Sequence, residues 1–210
     1  MAYHGHIISL SRYAKDLFIL KSATERKPIK ILEIGVDTGV SLFALMNNLN
    51  CLEVPFEYTG VDIRIQSHLI ATNYSFMQMH KENSITLREE NSLEFLKKCS
   101  EIFDIIMIDG DHNYETVTLE CNELIRLSHS ETLFLFDDYD GKFSFEDFFY
   151  ASRENYKNNN NILISSSSLP KKGVKAAVDE FVENNNLHMS QLSGEPVCVF
   201  RRDNSITEKM

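Results

Sequence analysis

Residues 29–41 read IKILEIGVDTGVS, and this stretch decides the fold more than any other part of the chain. Residues 29–34 form a compact apolar run directly after Pro28, which predicts a buried strand. Gly35 and Gly39 follow in a predicted strand-to-helix turn, where the missing side chains let a ligand approach the backbone. Free N–H groups at the start of the next helix favour an anionic group. A glycine turn that serves only packing stays open as the alternative.

Further short apolar runs alternate with helical patterns along the chain. They lie at residues 58–62, 85–88, 103–108 and 132–136. Apolar residues recur at helical spacing within 114–124 and 174–182. This alternation predicts an α/β fold with a Rossmann-like, doubly wound, mostly parallel sheet and helices on both faces. The last two runs, 187–192 and 197–201, have no helix between them and predict an antiparallel hairpin at the sheet edge.

The composition is that of an ordinary globular protein with an acidic balance. The 210 residues are 43% hydrophobic and 25% charged, with a formal net charge of −10. That charge argues against a general nucleic-acid binder, which needs a cationic surface. The four cysteines show no metal-binding or redox spacing. Because we find no membrane-length apolar run and no signal peptide, we expect a cytoplasmic protein without membrane or nucleic-acid partners.

The chain is predicted to form one main domain, residues 29–210, preceded by a helical lead-in at residues 1–28. Residues 140–172 do not fit the alternation of strands and helices. Their aromatic part, 143–150, repeats at helical spacing and predicts a helix. The asparagine and serine runs that follow are low-complexity sequence.

Polar residues directly after the second and third strands suit an adenosine. Asp62 ends the second strand, and an acid at this place can accept hydrogen bonds from both ribose hydroxyls. Asn91 and Ser92 follow the third strand, where they either cap the next helix or contact an adenine edge. For Ser92, capping is the favoured interpretation. The G-x-x-x-G spacing of the first turn is not the G-x-G-x-x-G of dinucleotide-binding proteins, so an adenosine with a charged tail fits better.

Acidic residues cluster after the fourth and fifth strands. The fourth strand is followed by Asp109, Asp111 and His112, and the fifth by Asp137 and Asp138. Because neighbouring strands of a parallel sheet end at one edge, these carboxylates are expected to converge. Crowded carboxylates are costly unless a cation neutralises them, and their hard oxygens select Mg²⁺, Mn²⁺ or Ca²⁺. The alternative is that these acids cap the following helices.

The motifs ILEIGVDTGVS, TGVDIR, IDGDHNYETV, FLFDDY and GVKAAVDEF together resemble those of class I S-adenosylmethionine-dependent methyltransferases. The likeness runs from about residue 29 to residue 201 and is greatest to metal-dependent small-molecule O-methyltransferases of the caffeoyl-coenzyme A, catechol and macrolide-sugar types. It implies S-adenosylmethionine as cofactor, Mg²⁺ (or Mn²⁺ or Ca²⁺) as metal, and a small-molecule hydroxyl, on a sugar or phenol, as acceptor. Relatives are frequently dimers, which makes a homodimer a candidate assembly.

The resemblance also implies roles for individual residues. The cofactor would lie against Glu33, Gly35, Gly39, Ser41, Asp62, Asn91, Ser92 and Asp111. Asp109, Asp137 and Asp138 would bind the metal. His112 stands where the family carries a lysine or histidine proposed as general base, so His112 and Asp109 are the expected catalytic residues. A metal lowers the pKa of a hydroxyl bound to it, and a nearby imidazole can take the proton. A structural hydrogen bond at the helix start is the alternative role for His112.

Four features depart from the family pattern. Asp37 replaces a glycine often found in the first turn, and Glu90 and Asn91 stand where glycine and aspartate are common. The stretch between FDDY and GVKAAVDEF is longer than in many relatives, so residues 140–172 are interpreted as an insertion over the site. It is either a substrate lid or a variable surface loop with an aromatic packing face. Two other functions stay open: a metal-independent methyltransferase of the same fold and an inactive cofactor-binding protein.

Overall fold

The computed structural model describes residues 28–51, 54–79, 81–156, 159–166, 172–191 and 196–201. The predicted helical lead-in at residues 1–28 lies outside these ranges apart from Pro28. Within the described ranges, no helix combines the length and the apolar character that crossing a bilayer requires.

The described residues form seven strands and five α-helices. The strands are β1 (Ile29–Ile34), β2 (Phe56–Asp62), β3 (Ser84–Glu89), β4 (Phe103–Ile108), β5 (Ser128–Phe136), β6 (Leu187–Gln191) and β7 (Val197–Arg201). The helices are α1 (Val40–Cys51), α2 (Ser67–Met79), α3 (Ser92–Lys98), α4 (Tyr114–Leu124) and α5 (Gly173–Asn184). Short 3₁₀ turns occur at Ile125–Leu127, Tyr150–Ser152 and Glu154–Tyr156.

The described strands form one sheet in the order β3-β2-β1-β4-β5-β7-β6. Strands β1 to β5 pair in parallel, whereas β7 is antiparallel to both β5 and β6. This arrangement confirms the predicted α/β fold with an antiparallel hairpin at one edge. The strand order reverses between β1 and β4, and ligands of open α/β sheets bind at such a point.

Alternate residues of the central strands pack into apolar cores on both faces of the sheet. Ile106 and Ile108 of β4 belong to the core shared with α4 and α5. Ile105 and Met107 belong to the core shared with α1. Because β4 is buried on both faces, its sequence shows no apolar–polar alternation.

Backbone hydrogen bonds continue one residue beyond the ends of three strands. The N–H groups of Gly35, Asp109 and Asp137 donate to carbonyls of the neighbouring strands at 2.9, 2.8 and 3.0 Å, respectively. Asp109 and Asp137 are the first residues after β4 and β5, so these bonds hold them in register beside each other. The site therefore begins with a backbone arrangement that the sheet itself dictates.

The helix predicted at residues 143–150 is wrong, since these residues form turns and bends until a 3₁₀ turn begins at Tyr150. In a helix, the Phe148 N–H would donate to the carbonyl of Ser144. It donates instead to the carbonyl of His112 at 2.8 Å, while the Ser144 carbonyl accepts the Lys175 N–H at 3.2 Å. Tertiary hydrogen bonds thus replace the helical ones.

Asp147 joins this segment to the starts of two helices. Its Oδ1 accepts the N–H of Tyr114 at 2.9 Å and the N–H of Gly173 at 3.0 Å. These are the first residues of α4 and α5, whose N–H groups have no partner within their own helices. One carboxylate therefore caps both helices and anchors the segment that follows β5.

Replacing Asp147 with alanine should lower the free energy of unfolding by about 1–3 kcal/mol, because two helix starts lose their acceptor. For a chain of this size the melting temperature should fall by about 2–10 °C in a calorimetric scan. Asp147→Asn keeps an acceptor oxygen and should lose less. The matched control is Glu146→Ala, since the Glu146 side chain is exposed. Equal melting temperatures for the two alanine variants would contradict the capping role.

Candidate functional site

A cavity of about 140 Å³ lies at the carboxyl ends of β1, β2 and β4, where the strand order reverses. Half of the residues predicted to act in cofactor binding, metal binding or catalysis line it: Gly35, Asp62, Asn91, Ser92, Asp109 and Asp111. The lining within the described chain does not include Glu33, Gly39, Ser41, His112, Asp137 and Asp138. The two sets are connected by the hydrogen bonds and ion pairs described below.

The turn after β1 requires glycine at its first position. Gly35 has a φ of +87°, and a Cβ on it would lie 1.9 Å from the carbonyl oxygen of Asp109. Any side chain would push the end of β1 away from the end of β4. Asp37 also adopts the left-handed region, with a φ of +42°. Aspartate is one of the few residues other than glycine that tolerate this conformation, so Asp37 keeps the backbone shape that a glycine would give.

Asp62 holds this turn against the end of β2. Its Oδ2 accepts the N–H groups of Val36 and Asp37 at 2.8 and 2.9 Å, and its Oδ1 accepts the Arg64 N–H at 2.9 Å. Burial raises the pKa of Asp62, and the three backbone hydrogen bonds oppose that shift. A carboxylate has about four acceptor positions, so one is left for a ligand hydroxyl in the cavity. This geometry suits the ribose contact expected from the sequence.

The side chains of Glu33 and Ser41 are hydrogen-bonded to each other, and neither residue lines the cavity. The buried carboxylate of Glu33 accepts hydrogen bonds from the Ser41 hydroxyl and from the Tyr58 hydroxyl. These bonds link β1, α1 and β2 around the glycine turn. Gly39 packs against Leu69, whose Cδ2 atom would lie 2.3 Å from a Cβ at residue 39. The cofactor contacts expected of Glu33, Gly39 and Ser41 stay predictions.

The capping role favoured for Ser92 is wrong, because Asn91 is the residue that caps α3, while the cofactor contacts expected of both residues stay predictions. Asn91 Oδ1 accepts the N–H groups of Leu93 and Glu94 at 2.9 and 3.4 Å. Ser92 is the first residue of α3, and its hydroxyl donates to Glu120 Oε1 at 2.6 Å. A side chain caps from the residue that precedes the helix, and Asn91 occupies that place.

Glu120 is a functional candidate that the sequence analysis missed. Its side chain is fully buried, and burial raises its pKa to about 8. The available signal was its spacing, because Glu120 lies three residues after Val117 and four before Leu124, on the apolar face of α4. An acid on such a face is unusual unless it has a partner or a role.

Asp109 and Asp137 converge as the sequence analysis expected. A hydrogen bond joins their side chains, and the pKa of Asp109 is raised well above its ordinary value by burial, by Asp137, by Glu33 and by Asp138. About a third (32%) of the Asp109 side chain is accessible, through the cavity that it lines. Two ionised carboxyls this close would repel each other, which favours the protonated form of Asp109.

The expected three-aspartate metal site is not formed in this structure. The described residues contain no group of three or more His, Cys, Asp or Glu side chains arranged to hold a metal ion. Asp138, the third expected ligand, has a φ of +52° and directs Oδ2 to within 3.2 Å of His112 Nδ1. The adjacent pair Asp109 and Asp137 is the part of the expected ligand set that lies together.

His112 is buried between this acid pair and aromatic side chains. Its Nε2 lies 3.9 Å from Asp109 Oδ1, opposite the Nδ1 that faces Asp138. The imidazole stacks on the Phe143 ring at a centroid distance of 5.0 Å, and the Tyr150 ring lies 6.0 Å away. A carboxylate on one nitrogen fixes the orientation of the ring and leaves the other nitrogen directed at the acid pair.

Residues of the 140–172 stretch form one wall of the cavity. The lining side chains from this stretch are Tyr150, Arg153, Tyr156, Ile162, Leu163 and Ile164. Arg153 lies over the rings of Phe148 and Tyr150, at 4.8 and 4.9 Å from their centroids. Burial and the charge of Asp109 raise the pKa of Tyr150, which keeps its hydroxyl protonated. The length of this stretch relative to the family predicted an insertion over the site, but no periodicity or motif indicated which of its residues meet the strand ends.

Asparagines fasten this wall to the domain. The Nδ2 groups of Asn159 and Asn161 both donate to the carbonyl of Ile63 at 3.0 Å. Asn91 Nδ2 donates to the carbonyl of Asn161 at 2.8 Å. The part of the asparagine run that the structure describes thus makes specific hydrogen bonds to residues around the cavity. We name the described residues 150–156 and 159–164 the roof segment.

The sheet order and the position of the cavity define the Rossmann-like methyltransferase fold. Residues 32–139, just over half of the 210-residue chain, match a family described as a methyltransferase domain. The chain belongs to this methyltransferase family, which confirms its resemblance to class I S-adenosylmethionine-dependent methyltransferases. A comparison with curated proteins finds no significant match.

Solved structures with the same fold include three methyltransferases. CalS11, a TDP-rhamnose 3′-O-methyltransferase of calicheamicin biosynthesis, is 14% identical with a TM-score of 0.53, over 92% of this chain and 81% of that one. The SAH-bound methyltransferase PaMTH1 of Podospora anserina is 15% identical with a TM-score of 0.50, over 94% and 88%. MycE of the mycinamycin pathway, in complex with Mg and SAH, is 15% identical with a TM-score of 0.55, over 96% and 56%. At these identities the likeness shows a shared fold.

The raised pKa of Glu120 predicts a pH-dependent stability. Between its ordinary value of 4.5 and about 8, the folded state binds the Glu120 proton more tightly than the unfolded chain does. The free energy of unfolding should therefore fall as pH rises through this window. Glu120→Gln removes this titration and should be more stable than the wild type at pH 9, by about 3–5 kcal/mol beyond any difference at pH 4.5.

Urea unfolding of both proteins at pH 4.5 and pH 9 measures this difference. Glu123→Gln is the matched control, because Glu123 lies on the same helix and pairs with Arg126 at 2.9 Å. It should show no comparable gain at pH 9. A parallel pH profile for wild type and Glu120→Gln would mean that Glu120 is ionised in the folded protein throughout this range.

Proposed function

We propose that the protein is an S-adenosylmethionine-dependent O-methyltransferase that uses a divalent cation to methylate a hydroxyl of a small molecule, such as a sugar or a phenol. The observation that carries the proposal is the pairing of Asp109 with Asp137 beside the cavity at the β1–β4 switch point. A fold of this class positions a methyl donor there, and the acid pair adds a means of activating an oxygen nucleophile.

The cavity fits S-adenosylmethionine by charge and by hydrogen bonding. Five of its described lining residues are acidic: Asp37, Asp62, Glu90, Asp109 and Asp111. The cationic side chain among the described lining residues is Arg153. A ligand with a sulfonium and an ammonium group complements an acidic wall, and a carboxylate on the ligand can pair with arginine. The remaining acceptor position of Asp62 suits a ribose hydroxyl.

Asp109 and Asp137 fit a hard divalent cation. Mg²⁺ usually binds through one or two carboxylates and keeps several waters, so an adjacent pair is sufficient. A cation would lie between the carboxylates of Asp109 and Asp137, while Asp138 would stay on His112 Nδ1. When bound, the cation would lower the pKa of an acceptor hydroxyl, and S-adenosylmethionine would supply a methyl group on a cationic sulfur.

His112 would take the proton from the acceptor. Asp138 faces Nδ1 at 3.2 Å and favours a proton on that nitrogen, so Nε2 would be the nitrogen that takes the proton of the acceptor. Nε2 is directed at the acid pair, at 3.9 Å from Asp109 Oδ1. Phe143 covers one face of the ring and excludes water from it. The roof segment, through Tyr150 and Arg153, would exclude water from the reacting groups.

Two of the similar structures support the choice of acceptor and metal. CalS11 is a sugar O-methyltransferase, and MycE was crystallised with Mg and SAH. Both share the fold of this chain over more than 90% of its length.

A metal-independent methyltransferase of the same fold is the second candidate. The observation in its favour is that Asp138 pairs with His112, so two rather than three of the expected ligands lie together. In that case Asp109 and Asp137 would contact the substrate directly.

Calorimetric titration of S-adenosylhomocysteine and of Mg²⁺ tests the proposal. We expect wild-type protein to bind S-adenosylhomocysteine, and the loaded form to bind Mg²⁺. Asp137→Asn removes one carboxylate charge and should weaken Mg²⁺ binding about tenfold or more, with cofactor affinity nearly unchanged. Asp109→Asn should weaken Mg²⁺ binding similarly. The matched control is Asp140→Asn on the same loop, whose exposed carboxylate pairs with Lys175 at 3.0 Å.

The outcomes distinguish the metal-dependent methyltransferase from the metal-independent one. Cofactor binding without Mg²⁺ binding in the wild type would favour the metal-independent enzyme. Methyl transfer to phenols or sugars that persists in excess EDTA would do the same. No binding of S-adenosylhomocysteine at all would contradict both.

A further inference from the structure

The roof segment is held to the domain by polar groups rather than by the apolar cores. None of its residues belongs to either core, and none of them is buried. Segments without core packing open locally at a lower free energy than the strands of a buried sheet. The roof segment can therefore open while the sheet stays folded.

Three asparagine amides fasten residues 159–164 of the roof segment. Asn159 and Asn161 each donate from Nδ2 to the carbonyl of Ile63 at 3.0 Å, which occupies both lone pairs of that oxygen. Asn91 donates from Nδ2 to the carbonyl of Asn161 at 2.8 Å, and the Asn161 N–H donates to Asn159 Oδ1 at 2.8 Å. We name the side chains of Asn91, Asn159 and Asn161 the asparagine latch.

The asparagine latch lies at the ends of β2 and β3. Ile63 follows β2 and Asn91 follows β3, and in the sheet both strands lie on the other side of β1 from β4 and β5. The acid pair and His112 follow β4 and β5, so the latch lies away from the groups proposed to act on the acceptor. Ile63 and Asn91 line the cavity together with Asp62. A ligand bound by Asp62 would therefore lie next to the latch, at the cofactor end of the cavity.

Asn91 departs from the family pattern in a way that the latch explains. Aspartate is common at this position in the family that the sequence resembles, and a carboxylate could cap α3 as Asn91 Oδ1 does. A carboxylate has no hydrogen to donate, however, and its second oxygen would lie about 2.8 Å from the carbonyl oxygen of Asn161. The cap alone accepts either residue, whereas the bond to the roof segment requires the amide.

We propose that the asparagine latch positions the roof segment as a gate for the cofactor, which has to open before S-adenosylmethionine enters or S-adenosylhomocysteine leaves. The three asparagines are positioning residues, since they act through the roof segment. The inference rests on the proposed function, which supplies the two ligands. Because the latch joins protein groups to each other, it opposes entry and exit alike, and weakening it should speed both.

Surface plasmon resonance on the immobilised protein gives both rate constants for S-adenosylhomocysteine. Asn91→Asp and Asn161→Ala should each raise the association and dissociation rate constants about three- to tenfold, because each variant loses a latch hydrogen bond. Asn159→Ala combined with Asn161→Ala should raise both about tenfold or more. The equilibrium dissociation constant should change about twofold or less, since it is the ratio of two rates that rise together. Asn160→Ala is the matched control and should keep the wild-type rates, because Asn160 is exposed in the same asparagine run.

Hydrogen exchange of the ligand-free protein tests the gate without any ligand. The amides of residues 159–164 should exchange about three- to tenfold faster in Asn91→Asp and in Asn161→Ala than in the wild type, whereas the amides of β4 should exchange at the wild-type rate. Exchange of residues 159–164 at the wild-type rate would mean that these hydrogen bonds do not hold the roof segment, and would overturn the inference.

The binding kinetics also distinguish a gate from other roles of the asparagines. A faster dissociation with an unchanged association rate would mean that the asparagines contact the ligand directly. Unchanged rate constants with a lower melting temperature would mean a purely structural role. Either result would overturn this inference and leave the proposed function standing. A wild-type protein that does not bind S-adenosylhomocysteine would overturn the proposed function, and this inference with it.

Discussion

The parallel hydrogen-bond ladder extends one residue past the ends of β1, β4 and β5, and the geometry of the site depends on it. The ladder holds Gly35, Asp109 and Asp137 in register at the carboxyl edge of the sheet. Gly35 has to lack a side chain, because a Cβ there would lie 1.9 Å from the Asp109 carbonyl oxygen. The glycine turn and the acid pair are therefore parts of one backbone arrangement: a change that separated β1 from β4 would also displace the carboxylates.

Acidic residues are concentrated at the carboxyl ends of the strands. Hydrogen bonds and an ion pair reduce the electrostatic repulsion among them. Asp62 is stabilised by three backbone N–H groups, Asp109 by a hydrogen bond with Asp137, and Asp138 by His112. Glu120 is the least compensated, with a single hydrogen-bond partner among the described residues. Such groups lower stability but are poised to interact with a cationic or hydrogen-bonding ligand.

The roof segment lines the cavity but lies outside the residues that match the methyltransferase family. The family match ends at residue 139, whereas the roof segment lies beyond it and contributes residues to the lining of the cavity. Its attachment depends on Asp147 at the starts of α4 and α5 and on asparagines that donate to the Ile63 carbonyl. Part of the cavity wall thus comes from residues that the family match does not cover.

The local sequence pattern was sufficient to predict the strands and to place the acidic residues at their carboxyl ends. The bounds of β1, β4 and β7 agree with the sequence prediction, because strands with buried apolar side chains leave uninterrupted runs, and parallel pairing then brings Asp109 beside Asp137. Only the tertiary structure decided which of two adjacent residues caps α3 and which meets Glu120, a partner 28 positions away. It also decided that residues 143–149 are not helical, since their hydrogen-bond partners lie on α5 and at His112. Periodicity reports which face of an element is buried, whereas the partner of a polar group depends on distant segments meeting in space.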